Sequence, residues 1–273
     1  MAQQRRAWRG WTAALAAGLA LAGCGRSRPF PTAASPAPTQ AADPGYRGPP
    51  QLTGMIRAAD GSLSLVGRAM ASSHVRLASP VGALQETVAD GKGAWRAALG
   101  PVSEPALYGL SAEADGRRVQ AEGYVAVLPS APEVALLRAG AGAELLDGGG
   151  ATPRIQAIDF DGSGNAVVSG RAAPSSPLRV LVDGTAVMDG AAGGDGRFSL
   201  TLPKPLVQGE RRIQVMAPKA VDGVLVQISS AQPLAADGPY RATAIKTGWR
   251  IDWLTPGGGA QSTLLLAPAG PTG

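Results

Sequence analysis

Between residues 51 and 268 hydrophobic and polar positions alternate with a period of two. Trp95, Ala97 and Leu99 fall on one side of such a stretch, with Arg96 and Ala98 on the other. Phe198, Leu200 and Leu202 oppose Ser199 and Thr201, and Leu178, Val180 and Val182 form a third apolar face. Period two puts successive side chains on opposite faces of a pleated strand. Turn signals break the alternation at short intervals: Asp60-Gly61, Asp90-Gly91, Asp115-Gly116, Gly162-Ser163-Gly164, Asp183-Gly184, Gly194-Asp195-Gly196 and Asp222-Gly223. Outside the first 23 residues no run of 12 or more has helical periodicity. The pattern predicts an all-β chain of short strands, the arrangement of β-sandwiches.

The pattern also occurs twice. Residues 67 to 77, G-R-A-M-A-S-S-H-V-R-L, match residues 170 to 180, G-R-A-A-P-S-S-P-L-R-V, so that Gly67, Arg68, Ser72 and Arg76 stand 103 positions before Gly170, Arg171, Ser175 and Arg179. The same offset relates Trp95 to Phe198 and Leu99 to Leu202. A constant offset means two copies of one folding unit. The division expected is module 1 over 51–147, a G-G-G-A-T-P linker at 148–153 and module 2 over 154–268. An apparent hairpin trails each copy: Val134–Arg138 with Ala143–Asp147, then Arg241–Leu254 with Ala260–Leu266 around Thr255–Gly259. Matching positions place each hairpin on its own sandwich; alternatively, residues 134 to 147 cross between the modules and stiffen the junction.

The order G-R-A, a strand, an Asp-Gly turn, a G-x-aromatic strand and a return strand resembles bacterial immunoglobulin-like modules and the related carboxypeptidase-regulatory-like modules of envelope proteins, over about 52–128 and 154–235. The resemblance implies tandem immunoglobulin-like sandwiches without the cysteine pair of antibody domains.

The amino end changes the picture. Arg5, Arg6 and Arg9 precede an apolar run, Ala13 to Ala22, too short to span a bilayer, which ends in Leu21-Ala22-Gly23-Cys24. This segment resembles bacterial lipoprotein signal peptides. The resemblance implies cleavage after residue 23 and acylation of Cys24, the chain's single cysteine. Two or more acyl chains make an anchor that one chain cannot. Gly25, where an aspartate would favour the inner membrane, points to the outer membrane. Residues 24 to 50, rich in proline, alanine and serine, carry too little apolar surface to offset ordering entropy and are expected to form a disordered tether.

Charge removes one class of function. The chain carries 25 basic and 20 acidic side chains, but Arg5, Arg6, Arg9, Arg26, Arg28, Arg47 and Asp43 precede residue 51, which leaves 19 of each beyond it. A neutral body offers no footprint for nucleic acid. With one histidine, His74, and one cysteine, Cys/His nucleophilic sites and His-rich zinc sites are excluded by composition. His74 has Pro177 as its repeat counterpart, a structural position.

The candidate chemistry is sparse. Asp159, Asp161, Ser163 and Asn165 place oxygens at alternate positions around glycine, as a calcium loop does, but no later acid closes the shell, so a hairpin turn is the favoured reading. Trp249 and Trp253, with Tyr240, could stack on sugar rings; counting parity through Ile245, Trp249, Ile251 and Trp253 instead gives an apolar core or interdomain face, opposite Lys246, Arg250 and Asp252. Arg68 and Arg171 recur beside glycine at a strand start, where their stems would cover a sandwich edge. No cofactor and no catalytic group is expected. The reading is a non-enzymatic, lipid-anchored envelope protein serving as a binding, spacer or assembly module, its partners the bilayer and an envelope protein or glycan; the alternative is polysaccharide or peptidoglycan binding through the carboxy-terminal aromatics.

Overall fold

A computed structural model describes residues 48–146, 153–231, 234 and 238–268. Cys24, segments 1–23 and 24–47, and linker residues 148–152 lie outside the described residues. Module 1 begins with seven strands: β1 Gln51–Arg57, β2 Ser62–Arg68, β3 His74–Ala78, β4 Leu84–Val88, β5 Ala94–Pro101, β6 Ala106–Ala114 and β7 Arg117–Val127. Strands β1, β2 and β5 form one sheet; β4, β3, β6 and β7 form the other, which β8 Val134–Leu137 and β9 Glu144–Leu145 extend beyond β7. Trp95 and Ala97 of β5 meet Leu63, Leu65, Val75 and Leu77 in the core between them, as the alternation requires.

Module 2 repeats the seven strands: β10 Arg154–Asp161, β11 Ala166–Arg171, β12 Pro177–Val182, β13 Thr185–Ala191, β14 Arg197–Thr201, β15 Gly209–Ala217 and β16 Ala220–Ile228. The offset of 103 extends to the register, since Gln51 opposes Arg68 as Arg154 opposes Arg171, and β1 and β10 share a bulge, at Leu52/Gly54 and Ile155/Ala157. The chain is all-β among its described residues, two tandem immunoglobulin-like sandwiches with Greek-key connections.

The recurring glycine has a steric cause. Gly67 lies directly across from Trp95, and Gly170 across from Phe198. A Cβ on Gly67 would sit 2.0 Å from the Gln51 carbonyl oxygen and 2.4 Å from the Trp95 ring; on Gly170 it would sit 2.0 Å from the Arg154 oxygen and 2.8 Å from Phe198. The bulge and the aromatic ring occupy the space that any side chain would need. The paired serines are backbone features too, with Ser72 and Ser175 both left-handed at φ 58° and 56°.

The trailing segments are not equivalent. After module 2 come three strands, β17 Tyr240–Ile245, β18 Gly248–Leu254 and β19 Ala260–Leu266, and β19 pairs with β10 to build a six-stranded sheet β14-β11-β10-β19-β18-β17. Thus β8–β9 extends the sheet of β3, β6 and β7, whereas β17–β19 extends the opposite sheet of its own sandwich. The stretch 241–254 is not one strand, as parity counting assumed, but a hairpin turning at Lys246-Thr247. That turn resets the parity: Ile245 packs on the module 2 core, whereas Trp249, Ile251 and Trp253 face module 1.

Two other expectations are corrected. Asp222-Gly223 is the middle of β16, because the turn falls at Pro218-Lys219 and the Asp222 carboxylate accepts a hydrogen bond from the Ile155 N–H at 2.7 Å. Arg68 and Arg171 close strands β2 and β11 instead of opening them.

Candidate functional site

Strand β10 is buried at six consecutive positions, Ile155 to Phe160, and β19 from Gln261 to Leu266. A strand at a sandwich surface should alternate; continuous burial means that both faces are covered. One face, with Ile158, Phe160, Leu264 and Leu266, joins the core of module 2. The other, with Ala157, Leu265, Trp249, Ile251 and Trp253, packs on Leu107, Ala126, Leu128, Ala135, Leu137 and Leu145 of module 1. The sandwiches therefore share a third hydrophobic core, and residues 134–145 bridge the modules while pairing with β7. Each trailing segment thus pairs with its own sandwich, and residues 134–145 also reach across to module 2.

A bulge aims module 1 at this junction. In β6–β7 the register slips between Gly109/Tyr124 and Ser111/Gln120, where β15–β16 runs without interruption. Gly123 there has φ +106°, and a Cβ would lie 2.0 Å from the Leu137 carbonyl oxygen. The slip brings Tyr124 edge-on to Trp253, ring centroids 5.7 Å apart.

A polar relay fastens the same contact. Trp253 Nε1–H donates to Thr263 Oγ1 at 3.1 Å, and the Thr263 hydroxyl donates to Asp159 Oδ1 at 2.5 Å. Gln261 Nε2 donates to the same oxygen at 3.0 Å, and the backbone N–H of Ala143, from the β8–β9 turn, donates to Asp159 Oδ2 at 2.7 Å. Ser169 and Ser199 donate to the carbonyls of Ala143 and Ala141. Glycine permits the approach: Gly142, at φ +77°, would carry a Cβ 2.8 Å from Ser199 Oγ and 3.0 Å from Val167. At the rim Arg197 pairs with Glu144 across the modules, and burial together with the charge of Arg138 pushes the Arg197 guanidinium below its ordinary pKa.

Burial pushes the Asp159 carboxyl up to about 6 from 3.8, against the hydrogen bonds from Thr263, Ala143 and Gln261 and the charge of Arg138. The folded chain thus holds a proton that the unfolded chain has released. The stability this group contributes is full below pH 3.8, falls as pH rises and is gone above about 6, a change of about 3 kcal/mol. Urea unfolding from pH 4 to 8 is expected to show that fall in the parent and a flatter profile in Asp159→Asn; equal slopes would refute the assignment.

Asp159 faces the junction, whereas Asp161 caps its own turn, accepting from the Ser163 and Asn165 N–H groups and from Asn165 Nδ2. Burial works to raise the Asp161 pKa, but these hydrogen bonds hold it below the ordinary value. Asp159 and Asp161 thus spend their oxygens on protein donors, and among the described residues no three His, Cys, Asp or Glu side chains gather to hold a metal. Trp253 is fully buried, Trp249 is 8% exposed and donates to Ser130 Oγ, and Tyr240 donates to the Pro105 carbonyl. The tryptophan faces are spent on module 1, the core or interdomain face that parity favoured over a sugar platform. His74 is exposed at the start of β3.

Beside the junction, on the outer face of β3, β6 and β7, lies a groove of about 580 Å³ floored by Gly109, Ser111 and Tyr124 and walled by Pro239 and Leu254. Its arginines already face acids, Arg76 with Glu86 at 3.7 Å and Arg118 with Glu113 at 2.8 Å. The relay of Asp159, Gln261, Thr263 and Ser169 escaped the sequence reading. Its signal was the polar residues within otherwise apolar β10, β11 and β19.

No protein-family model matches the chain, and no curated protein matches it significantly. The solved structures that show similarity include the following two. A biofilm-associated protein, BSP domain, is 14% identical over 68% of this chain at a TM-score of 0.24, and the chain spans 30% of its length. The central fibronectin-III array of RIM-binding protein is 14% identical over 82% of this chain and 87% of its own, also at 0.24.

Proposed function

We propose that this chain is a non-enzymatic envelope lipoprotein, anchored through acylated Cys24 in the outer membrane and carrying, on the stretch 24–50, a two-sandwich body that acts as a spacer or assembly module for an envelope protein or glycan. The observation that carries the reading is the shared core of Trp249, Ile251 and Trp253 with Leu107, Leu137 and Leu145, with Asp159 tied to Ala143 across it. A protein that spends Trp249, Trp253 and the buried Asp159 carboxylate on fixing two modules together is built to hold a shape. The lipobox-like Leu21-Ala22-Gly23-Cys24 supplies the anchor in this reading. The described residues from 48 onward belong to one compact unit that the anchor would present as a single object.

Cys24→Ser is expected to abolish incorporation of labelled palmitate and to move the protein from the membrane to the soluble fraction, since the acyl chains supply the attachment. Membrane retention of a processed Cys24→Ser protein would end the lipid-anchor reading. Isolated sacculi are expected not to retain the parent protein beyond a lipid-free control, as Trp249 and Trp253 are buried in the junction.

A further inference from the structure

The two modules are copies, yet their sheets are extended on opposite sides. In module 2 the outer edge of β10 is filled by β19, in antiparallel register from Ala157/Leu265 to Asp161/Gln261. In module 1 the equivalent strand is β1, and among the described residues nothing pairs with its outer edge. The same unit thus takes an antiparallel strand at this edge once and presents it bare once. A bare edge is a row of unpaired N–H and C=O groups, a template for another strand.

We propose that two copies of this chain associate by antiparallel pairing of β1 with itself, joining their β1-β2-β5 sheets into one six-stranded sheet across a two-fold axis. An isologous contact requires a self-complementary strand, and β1 is one. Met55 points into its own core, while Gly54 and Ile56 lie on the opposite face, where Ile56 is 43% exposed. An axis through Met55 sets Met55 against its copy and Ile56 over the partner's Gly54, so each isoleucine fills the gap left by a glycine. Asp159, the module 2 counterpart of Ile56, is hydrogen-bonded to β19; the exchange of acid for isoleucine suits a partner met by apolar contact. Charge sits inside other free edges, at Glu86 in β4, Arg96 in β5, Asp189 in β13 and Asp222 in β16, whereas the charge on β1 is confined to its last residue, Arg57, which is paired with Glu133.

Sedimentation equilibrium of the full chain in density-matched detergent tests this. A monomer–dimer equilibrium is expected in the parent. Ile56→Lys should weaken it about a hundred-fold, because both copies lose an isoleucine contact at once, with an unchanged melting temperature. Leu84→Lys on β4 and Leu225→Lys on β16 should leave it intact. A parent that stays monomeric at every concentration, a dimer untouched by Ile56→Lys, or a dimer broken equally by Leu225→Lys would each overturn the proposal.

Discussion

Trp253→Ala is expected to unfasten the two sandwiches. The ring is fully buried, packs edge-on against Tyr124 and donates its N–H into the Asp159 relay through Thr263. Truncation removes one of the two tryptophans of the shared core and takes the indole donor from Thr263 Oγ1. Buried Trp→Ala changes cost about 3 to 5 kcal/mol, and here the loss falls on the contact between modules as well as on the sheet of module 2. Calorimetry should show the parent's single transition replaced by two, module 2 melting first. A single transition at the parent's temperature would show that the shared core does not couple the modules.

Trp95→Ala and Phe198→Ala form the second test, a paired one. Each ring sits across from a glycine that has no room for a side chain, Trp95 over Gly67 and Phe198 over Gly170, and each is 4% exposed. Each truncation opens a cavity in its own sandwich and should cost about 3 to 5 kcal/mol. If the units are copies, the damage should be local: near-ultraviolet dichroism and hydrogen exchange should report loosening in the mutated module first. Thermal stability equal to the parent's in either variant would place that ring outside the core.

Much of this fold was legible because alternation and turn chemistry are local. Trp95, Ala97, Phe198 and Leu200 declared their inward face through spacing alone, and five of the Asp-Gly or Gly-x-Gly signals beyond Asp60-Gly61 fell at real turns. The failures share one cause. Asp222-Gly223 looked like a turn because its dipeptide is one, but Asp115-Gly116 lies 103 positions before Pro218-Lys219, so the repeat itself placed the turn four residues earlier. Tertiary demand for an acceptor at the Ile155 N–H put an aspartate in mid-strand. Likewise Lys246-Thr247 lacks a glycine or asparagine at its centre, so the hairpin there was invisible and the parity of Ile245 came out reversed.

The junction was harder to read, for a physical reason. A strand covered on both faces loses its alternation, so Leu264-Leu265-Leu266 gives no hint that Leu265 belongs to a different core from its neighbours. The Ala-Gly-Ala-Gly turn at 139–142 reads as an ordinary loop until Gly142 is seen against Ser199 and Val167. Asp159 entered the sequence reading as a metal candidate because acids near glycines suit cations. Its real neighbours, Thr263, Gln261 and Ala143, are distant in sequence and meet it only when the two modules fold together.

The shared core should hold both sandwiches as one rigid body. Spin labels at Glu86 in β4 and Leu225 in β16, in a chain whose Cys24 is replaced by serine, read the distance between the modules by pulsed electron resonance. A single narrow distribution is expected, broadened by Trp253→Ala; a broad distribution in the parent would mean that the sandwiches move independently.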